Sequence, residues 1–214
     1  MGAQPLIDAG RLAAFALASL ALAAVPGPAV LYIVSQSVYG GRLAGLVSAA
    51  GIASGGVVHV VAAVAGLSAL ILASAEAFTI VKVAGAAYLV YLGLRTLLRP
   101  ASDTIGGRTR ELGHWRTYRQ GVIVNVLNPK TALFFLAFLP QFVDAEHAVR
   151  PQLLVLGGIF TTIALASDCL WALAAGSAGA VLQRSRVFLR VQRYVSGLVF
   201  IGLGAAAAVT GRNG

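Results

Sequence analysis

Residues 21–34 read ALAAVPGPAVLYIV and residues 122–135 read VIVNVLNPKTALFF. Each is an apolar run interrupted by proline, at Pro26-Gly27-Pro28 in the first and at Asn128-Pro129-Lys130 in the second. Proline donates no backbone hydrogen bond and its ring clashes with the preceding turn, so both runs read as helices that break or kink in mid-course. The apolar character extends over the whole chain: 58% of the 214 residues are hydrophobic and 11% are charged. A soluble domain has about 45–50% and about 25%. A water-soluble globular protein is excluded, and the fold class is an all-α membrane protein.

Outward from the two breaks, apolar stretches lie near residues 12–35, 43–74, 77–98, 119–142, 152–182 and 194–210. They have the length needed to cross about 30 Å of hydrocarbon. The long hydrophilic connection at 99–118 holds Pro100, Gly106, Gly107 and Gly113, poor helix formers that mark a linker. The expected organisation is a first three-helix repeat over residues 1–98, a cytoplasmic linker over 99–118 and a second three-helix repeat over 119–214. Six transmembrane helices divided in this way enter the membrane from opposite faces, as two inverted repeats. Spans 2 and 5 match by count: Arg42 to Glu76 and Arg150 to Arg184 are both intervals of 34 residues. His59 follows Arg42 by 17 residues and Asp168 follows Arg150 by 18, which at about 1.5 Å per residue puts both near mid-membrane.

The net charge is +9, and 14 of the 16 cations are arginines. With alternating spans, one face collects Arg42, Arg95, Arg99, Arg108, Arg110, Arg116, Arg119, Arg184, Arg186, Arg190 and Arg193, and the other only Arg11, Arg150 and Arg212. The positive-inside rule makes the arginine-rich loops cytoplasmic in a multi-pass protein of the cytoplasmic membrane. A five-span arrangement, with the first segment not crossing, moves only the N-terminus. Residues 1–24 also imitate a secretory signal, although the apolar run continues past Pro28 to Val34. The arginines suit anionic lipid headgroups better than nucleic acid. Cys169, the one cysteine, excludes an internal disulfide.

Paired broken helices are a sequence pointer to a transporter's binding site, because backbone groups freed at depth are tolerated only against protein or a wet cavity. Pro26, Gly27, Pro28, Asn125, Asn128, Pro129 and Lys130 are therefore candidates for substrate binding. Lys130 lies 11 residues past Arg119, about 16 Å along a helix, too deep to snorkel easily and suited to a carboxylate partner. Asn125 and Asn128 share a helical face and can serve a ligand or an interhelical hydrogen bond. Asp168, on a stripe with Gly157, Thr161, Ala164, Ala172 and Ala175, points into the bundle and is a candidate to carry a coupling proton, or else to pair with Lys130. His59 shares a face with Gly51, Gly55 and Ala62, and is either a second proton carrier or a donor between helices. Lys82, about five residues into its span, is within snorkelling reach of the interface and is a minor candidate.

No cofactor is expected. Divalent metal efflux is the alternative function, but His59, Asp168 and Cys169 are a sparse ligand supply. An intramembrane hydrolase using Ser54 and His59 fails on geometry, since five residues on one helix point the two about 140° apart. A scaffold without a transport cycle leaves the paired breaks unexplained. Gly197 and Gly204 in the last span suit a homodimer or packing within one chain.

Several of these pieces occur together in one known family. Pro26-Gly27-Pro28, the Gly51, Gly55, His59 stripe, the run Lys82-Val83-Ala84-Gly85-Ala86-Ala87-Tyr88-Leu89, and Asn125 to Lys130 continuing to Phe138-Leu139-Pro140-Gln141-Phe142-Val143 stand in one order and spacing. In these the chain resembles the LysE/RhtB amino-acid exporters, and Asp168 falls where their fifth span often has its acid. The resemblance implies proton-motive efflux of amino acids or derivatives such as homoserine, threonine, lysine or homoserine lactone. Many relatives carry Asp or Asn directly after the second proline; here that position is Ala29, which favours a less polar ligand.

Overall fold

A computed structural model describes residues 6–73, 75–98, 113–144 and 147–184, with isolated helical positions between 194 and 205. Every element among them is helical: α1 (Ala9–Ala24), α2 (Pro28–Ala73), α3 (Ala75–Leu98), α4 (His114–Val126), α5 (Pro129–Leu133), a π-helical turn (Phe134–Phe138), a 3-10 turn (Leu139–Phe142) and α6 (Val149–Arg184). Val149–Ser177 is a helix long and apolar enough to cross a membrane, 28–66 is an apolar helical stretch of that length turned at Gly41, and His114–Val126 with Pro129–Phe142 forms an apolar pair bent by 43°. The last apolar stretch, 194–210, with Gly197 and Gly204, falls outside the described residues save for isolated positions.

The span expected at 12–35 is two helices. α1 starts where Asp8 accepts hydrogen bonds from the Gly10 and Arg11 amides, at 2.8 and 3.1 Å, and it stops at Ala24, where Val25 turns extended (φ −75°, ψ 118°). α2 begins at Pro28, a good first residue because its missing N–H is not needed there. Its 46 residues would be about 69 Å long if straight. They are not straight, because Gly41 has φ 76° and ψ 180° and folds the helix back on itself. Beyond the turn, a Cβ on Gly45 would collide with the Ser37 hydroxyl, and Ile33, Ala49, Ile52 and Ala172 form one buried cluster. Residues 28–40 and 42–66 are thus the two limbs of a helical hairpin.

The returning limb packs closely on α4. A Cβ on Gly51 would strike the Tyr118 carbonyl, one on Gly55 would lie 2.7 Å from the Val122 carbonyl, and one on Gly121 would lie 2.8 Å from that of Ser48. Small residues here let the two backbones touch, as membrane helices require when no hydrophobic force drives them together. α6 completes the bundle, and the segment before it, held by Gln152 to the Asp144 backbone, shares in tying its ends. Arg11 reaches Asp144 at 3.5 Å at one end, and Arg42 donates to Ser177 at 2.9 Å at the other.

One boundary corrects the sequence reading. The linker expected over 99–118 is helical from His114, and its earlier part lies outside the described residues. Tertiary contacts hold that first turn of α4. Tyr32 donates to the Thr117 carbonyl at 2.8 Å, Tyr118 donates to Ser54 at 2.8 Å, and Trp115 stacks on Tyr118. Pro100, Gly106, Gly107 and Gly113 made the whole stretch read as a linker.

The conformation of Gly41 is reserved almost entirely to glycine and costs about 1–3 kcal/mol for other residues. No neighbouring atom lies within 4 Å of a Cβ built there, so the penalty is purely conformational. Gly41→Ala is expected to lower the melting temperature of the detergent-purified protein, whereas Gly66→Ala, in the open on the returning limb, leaves it unchanged or raised.

Candidate functional site

The two helix breaks meet inside the bundle, and each is completed by side chains from elsewhere. At the first, Pro26 has no N–H for the Leu22 carbonyl and Pro28 none for that of Ala24. Lys130 supplies the missing donor: its Nζ lies 2.6 Å from the Leu22 oxygen and 2.6 Å from that of Val25. Ser167 donates to the neighbouring Ala23 carbonyl at 3.2 Å. A buried cation therefore caps the C-terminal end of α1, the negative pole of its dipole. Gly27 makes room for it, since a Cβ there would stand 3.1 Å from the Lys130 Cδ.

At the second break, Pro129 withholds its N–H from the Asn125 carbonyl. His59 Nε2 takes that place at 2.9 Å, beside the Asn128 amide at 2.9 Å. A carbonyl only accepts, so this bond puts the His59 proton on Nε2. The Asn125 side chain joins three elements. Its amide donates to the Ile52 carbonyl at 2.6 Å, and its oxygen accepts from Thr131 at 2.9 Å and from Asn128 at 3.4 Å. The Asn128 oxygen accepts from the Lys130 amide at 3.1 Å and caps α5.

Between the breaks lies a cavity lined by Leu22, Ala23, Gly27, Ala29, Val30, Ile52, Asn125, Asn128, Lys130, Thr131, Phe160, Ala164 and Asp168. About 40 Å³ is open to the centres of water molecules, room for a few waters. Asp168 is 6% exposed and Lys130 8%. Lys130 spends two of its three donors on carbonyls and keeps one. Among the described residues, the ion pairs within 4.0 Å are Arg11–Asp144 and His147–Asp144, so Asp168 is outside direct ion-pair range of Lys130. No group of three or more His, Cys, Asp or Glu positioned for a metal ion occurs among the described residues. Toward the Arg11–Asp144 end, rings fill the bundle. Phe160 stacks on Phe134 at 4.7 Å and meets Phe135 edge-on at 5.2 Å, while Phe15 packs on Phe142 at 5.2 Å.

Of the residues singled out from sequence, Gly27, Asn125, Asn128, Lys130 and Asp168 line this cavity. Pro26, Pro28 and Pro129 shape the breaks without lining it, and His59 stands behind Asn125. The side chain of Lys82, on α3, falls outside the described residues. Sequence reasoning passed over Ser167, Thr131 and Ile52. The first two are polar residues next to a charged neighbour in an apolar run, a signal present in the sequence; the carbonyl of Ile52 carries none.

A bundle of apolar helices, two of them broken around a cavity that holds the buried side chains of Asn125, Asn128, Lys130, Thr131 and Asp168, is the architecture of a membrane translocator. The LysE type translocator family matches residues 20–211, and the chain belongs to that family. It is 31% identical over 197 residues to an uncharacterized membrane protein of Vibrio cholerae, covering 91% of this chain and 95% of the relative. It is 28% identical over 189 residues to the uncharacterized membrane protein YrhP of Bacillus subtilis, covering 84% and 90%. It is 32% identical over 144 residues to the homoserine/homoserine lactone efflux protein of Salmonella typhimurium, covering 67% and 70%. No solved structure matches.

Removing a donor from a buried carbonyl costs about 1–3 kcal/mol. Lys130→Met strips the Val25 carbonyl of Nζ and weakens that of Leu22, so a clear loss of thermal stability in detergent is expected. His59→Phe, which orphans part of the second break, is expected to destabilise by a similar amount, and His59→Gln, which keeps a donor, by less.

Proposed function

We propose that this protein is a secondary exporter of amino acids or their derivatives, of the homoserine, threonine, lysine or homoserine lactone type, driven by the proton motive force across the bacterial cytoplasmic membrane. The observation that carries this reading is the convergence of both helix breaks on one buried cavity that also holds Lys130 and Asp168. Membership of a translocator family and likeness to a relative described as a homoserine/homoserine lactone efflux protein support the substrate class.

In this reading the chain crosses the membrane six times as two inverted three-helix repeats, 1–98 and 119–214, joined by a cytoplasmic linker. The arginine-rich loops face the cytoplasm, the side that the positive-inside rule favours for them. A homodimer is compatible with the small residues of the last span. The amides of Ala29 and Val30, which begin α2 and have no intrahelical acceptor, and the remaining donor of Lys130 hold the substrate's carboxylate or carbonyl. Asp168 carries the coupling proton, and His59 positions the second break.

A cavity with room for a few waters must enlarge to admit an amino acid, so access alternates by movement of its walls. The cluster of Phe15, Phe134, Phe135, Phe142 and Phe160, with the Arg11–Asp144 pair beyond it, is the outer seal. The π-helical turn at Phe134–Phe138 supplies the irregular backbone at which that seal can repack.

Inside-out vesicles from cells producing the protein, with an imposed pH gradient, test the reading. Uptake of homoserine, threonine or homoserine lactone is expected to depend on the gradient and to fall at least tenfold when the gradient is collapsed or Asp168 is replaced by Asn. Uptake indifferent to both interventions removes Asp168 from the coupling role.

A further inference from the structure

We propose that the Asp168 carboxylate is the receptor for the substrate's ammonium group, so that substrate and proton occupy one carboxylate in turn. This rests on the exporter reading above and deepens it by naming the chemical feature that the cavity selects.

The argument starts from what surrounds Asp168. It is 6% exposed, it lines the cavity, and among the described residues its oxygens receive no hydrogen bond and no ion pair within 4.0 Å. Its nearest helical neighbours on the cavity wall, Ala164 and Phe160, are apolar, Leu22 and Ala23 offer no side-chain donor, and Asn128 and Thr131 donate to Asn125. The titratable groups on the elements around it make their hydrogen bonds elsewhere, and Lys130, with one donor to spare, acts on Asp168 only through its charge, from beyond 4.0 Å. Lys130 on α5 is bound to the Leu22 and Val25 carbonyls, and His59 on the returning limb of α2 to that of Asn125. Tyr32 donates to the Thr117 carbonyl, Arg42 to Ser177, and Arg11 at the far end of α1 faces Asp144. Cys169 adjoins Asp168 on α6.

A carboxylate presents about four acceptor positions, and leaving an ionised one buried without donors is prohibitive. Two partners of the right chemistry can reach it from a wet cavity: a proton, or a small cation with N–H donors. A divalent metal is disfavoured because no second acidic ligand stands with it among the described residues. A primary ammonium, with three N–H groups, matches the single carboxylate and the small volume. The positive charge of Lys130, held at the C-terminal end of α1, then repels an ammonium from its own side of the cavity and leaves that side for the substrate's carboxylate or ester carbonyl. On the loading side, protonated Asp168 gives up its carboxyl proton to water as the ammonium binds the resulting carboxylate. A proton taken up on the other side displaces the ammonium, so exchange follows from two ligands competing for one group.

The test uses the full chain purified in detergent, with binding followed by thermal stabilisation and by a pH-indicating dye in weak buffer. Homoserine and homoserine lactone, which share the ammonium, are expected to stabilise the protein and release protons, and N-acetylhomoserine to do neither. The apparent Kd for homoserine is expected to weaken as pH falls, approaching tenfold per unit once Asp168 is protonated, because proton and ammonium compete. Asp168→Glu is expected to keep this pH dependence; Asp168→Asn is expected to bind at least tenfold more weakly and without it. N-acetylhomoserine binding to the wild type as tightly as homoserine would overturn the proposal without any variant having to fold, as would unchanged, pH-independent homoserine binding in Asp168→Asn, and either leaves the exporter reading standing. If homoserine, its lactone, threonine and lysine all fail to stabilise the wild type, the exporter reading and the proposal both fall.

Discussion

A proline in a membrane helix leaves a carbonyl without its donor, and in hydrocarbon there is no bulk water to replace it. In this protein that debt is met by a buried ammonium: Lys130 Nζ, 2.6 Å from both the Leu22 and Val25 oxygens. The bond decides where the second broken helix must sit relative to the first, and therefore where the cavity forms. It also turns a costly buried charge into a helix cap, since the C-terminal pole of α1 is where a cation is favoured.

The second break is completed from the first half of the chain. His59 donates to the Asn125 carbonyl, as Lys130 and Ser167 from the second half donate to the carbonyls of α1. The stitching runs both ways between the halves. It is possible because Gly51, Gly55 and Gly121 let the returning limb of α2 touch α4, which brings His59 within reach of Asn125. Larger side chains along that seam would separate the helices and leave both ends of these bonds unpaired. The halves cannot rock past each other without exchanging such bonds, so the polar contacts that stabilise the fold are also the ones that a transport cycle has to remake.

Much of this was legible in the sequence. Composition alone placed the chain in the membrane. The spacing of charges singled out His59 and Asp168, and the small-residue stripe of α6 turned Asp168 inward, where Ala172 and Ala175 are also buried. The two proline breaks were visible, and Lys130 was recognised as too deep to be a surface lysine. Other features were hidden. The proline and glycines just before it disguised the first turn of α4, which packing holds in helical form. Nothing local announced the hairpin at Gly41 over its neighbour Gly40, and nothing marked the Ile52 carbonyl as a partner for Asn125.

The division has a physical basis. Hydropathy, helical period and the lack of an N–H on proline are properties of a residue and its near neighbours, so they can be read along the chain, and they determined which segments are apolar helices, where they break and which carbonyls go short. What fills each shortage is a matter of distance between residues far apart in sequence: Lys130 and Leu22, Ser167 and Ala23, His59 and Asn125. Only the packed bundle, with its glycine seam and its turn at Gly41, could decide that these meet around one cavity and that Lys130 caps a helix while Asp168 is left facing the space between.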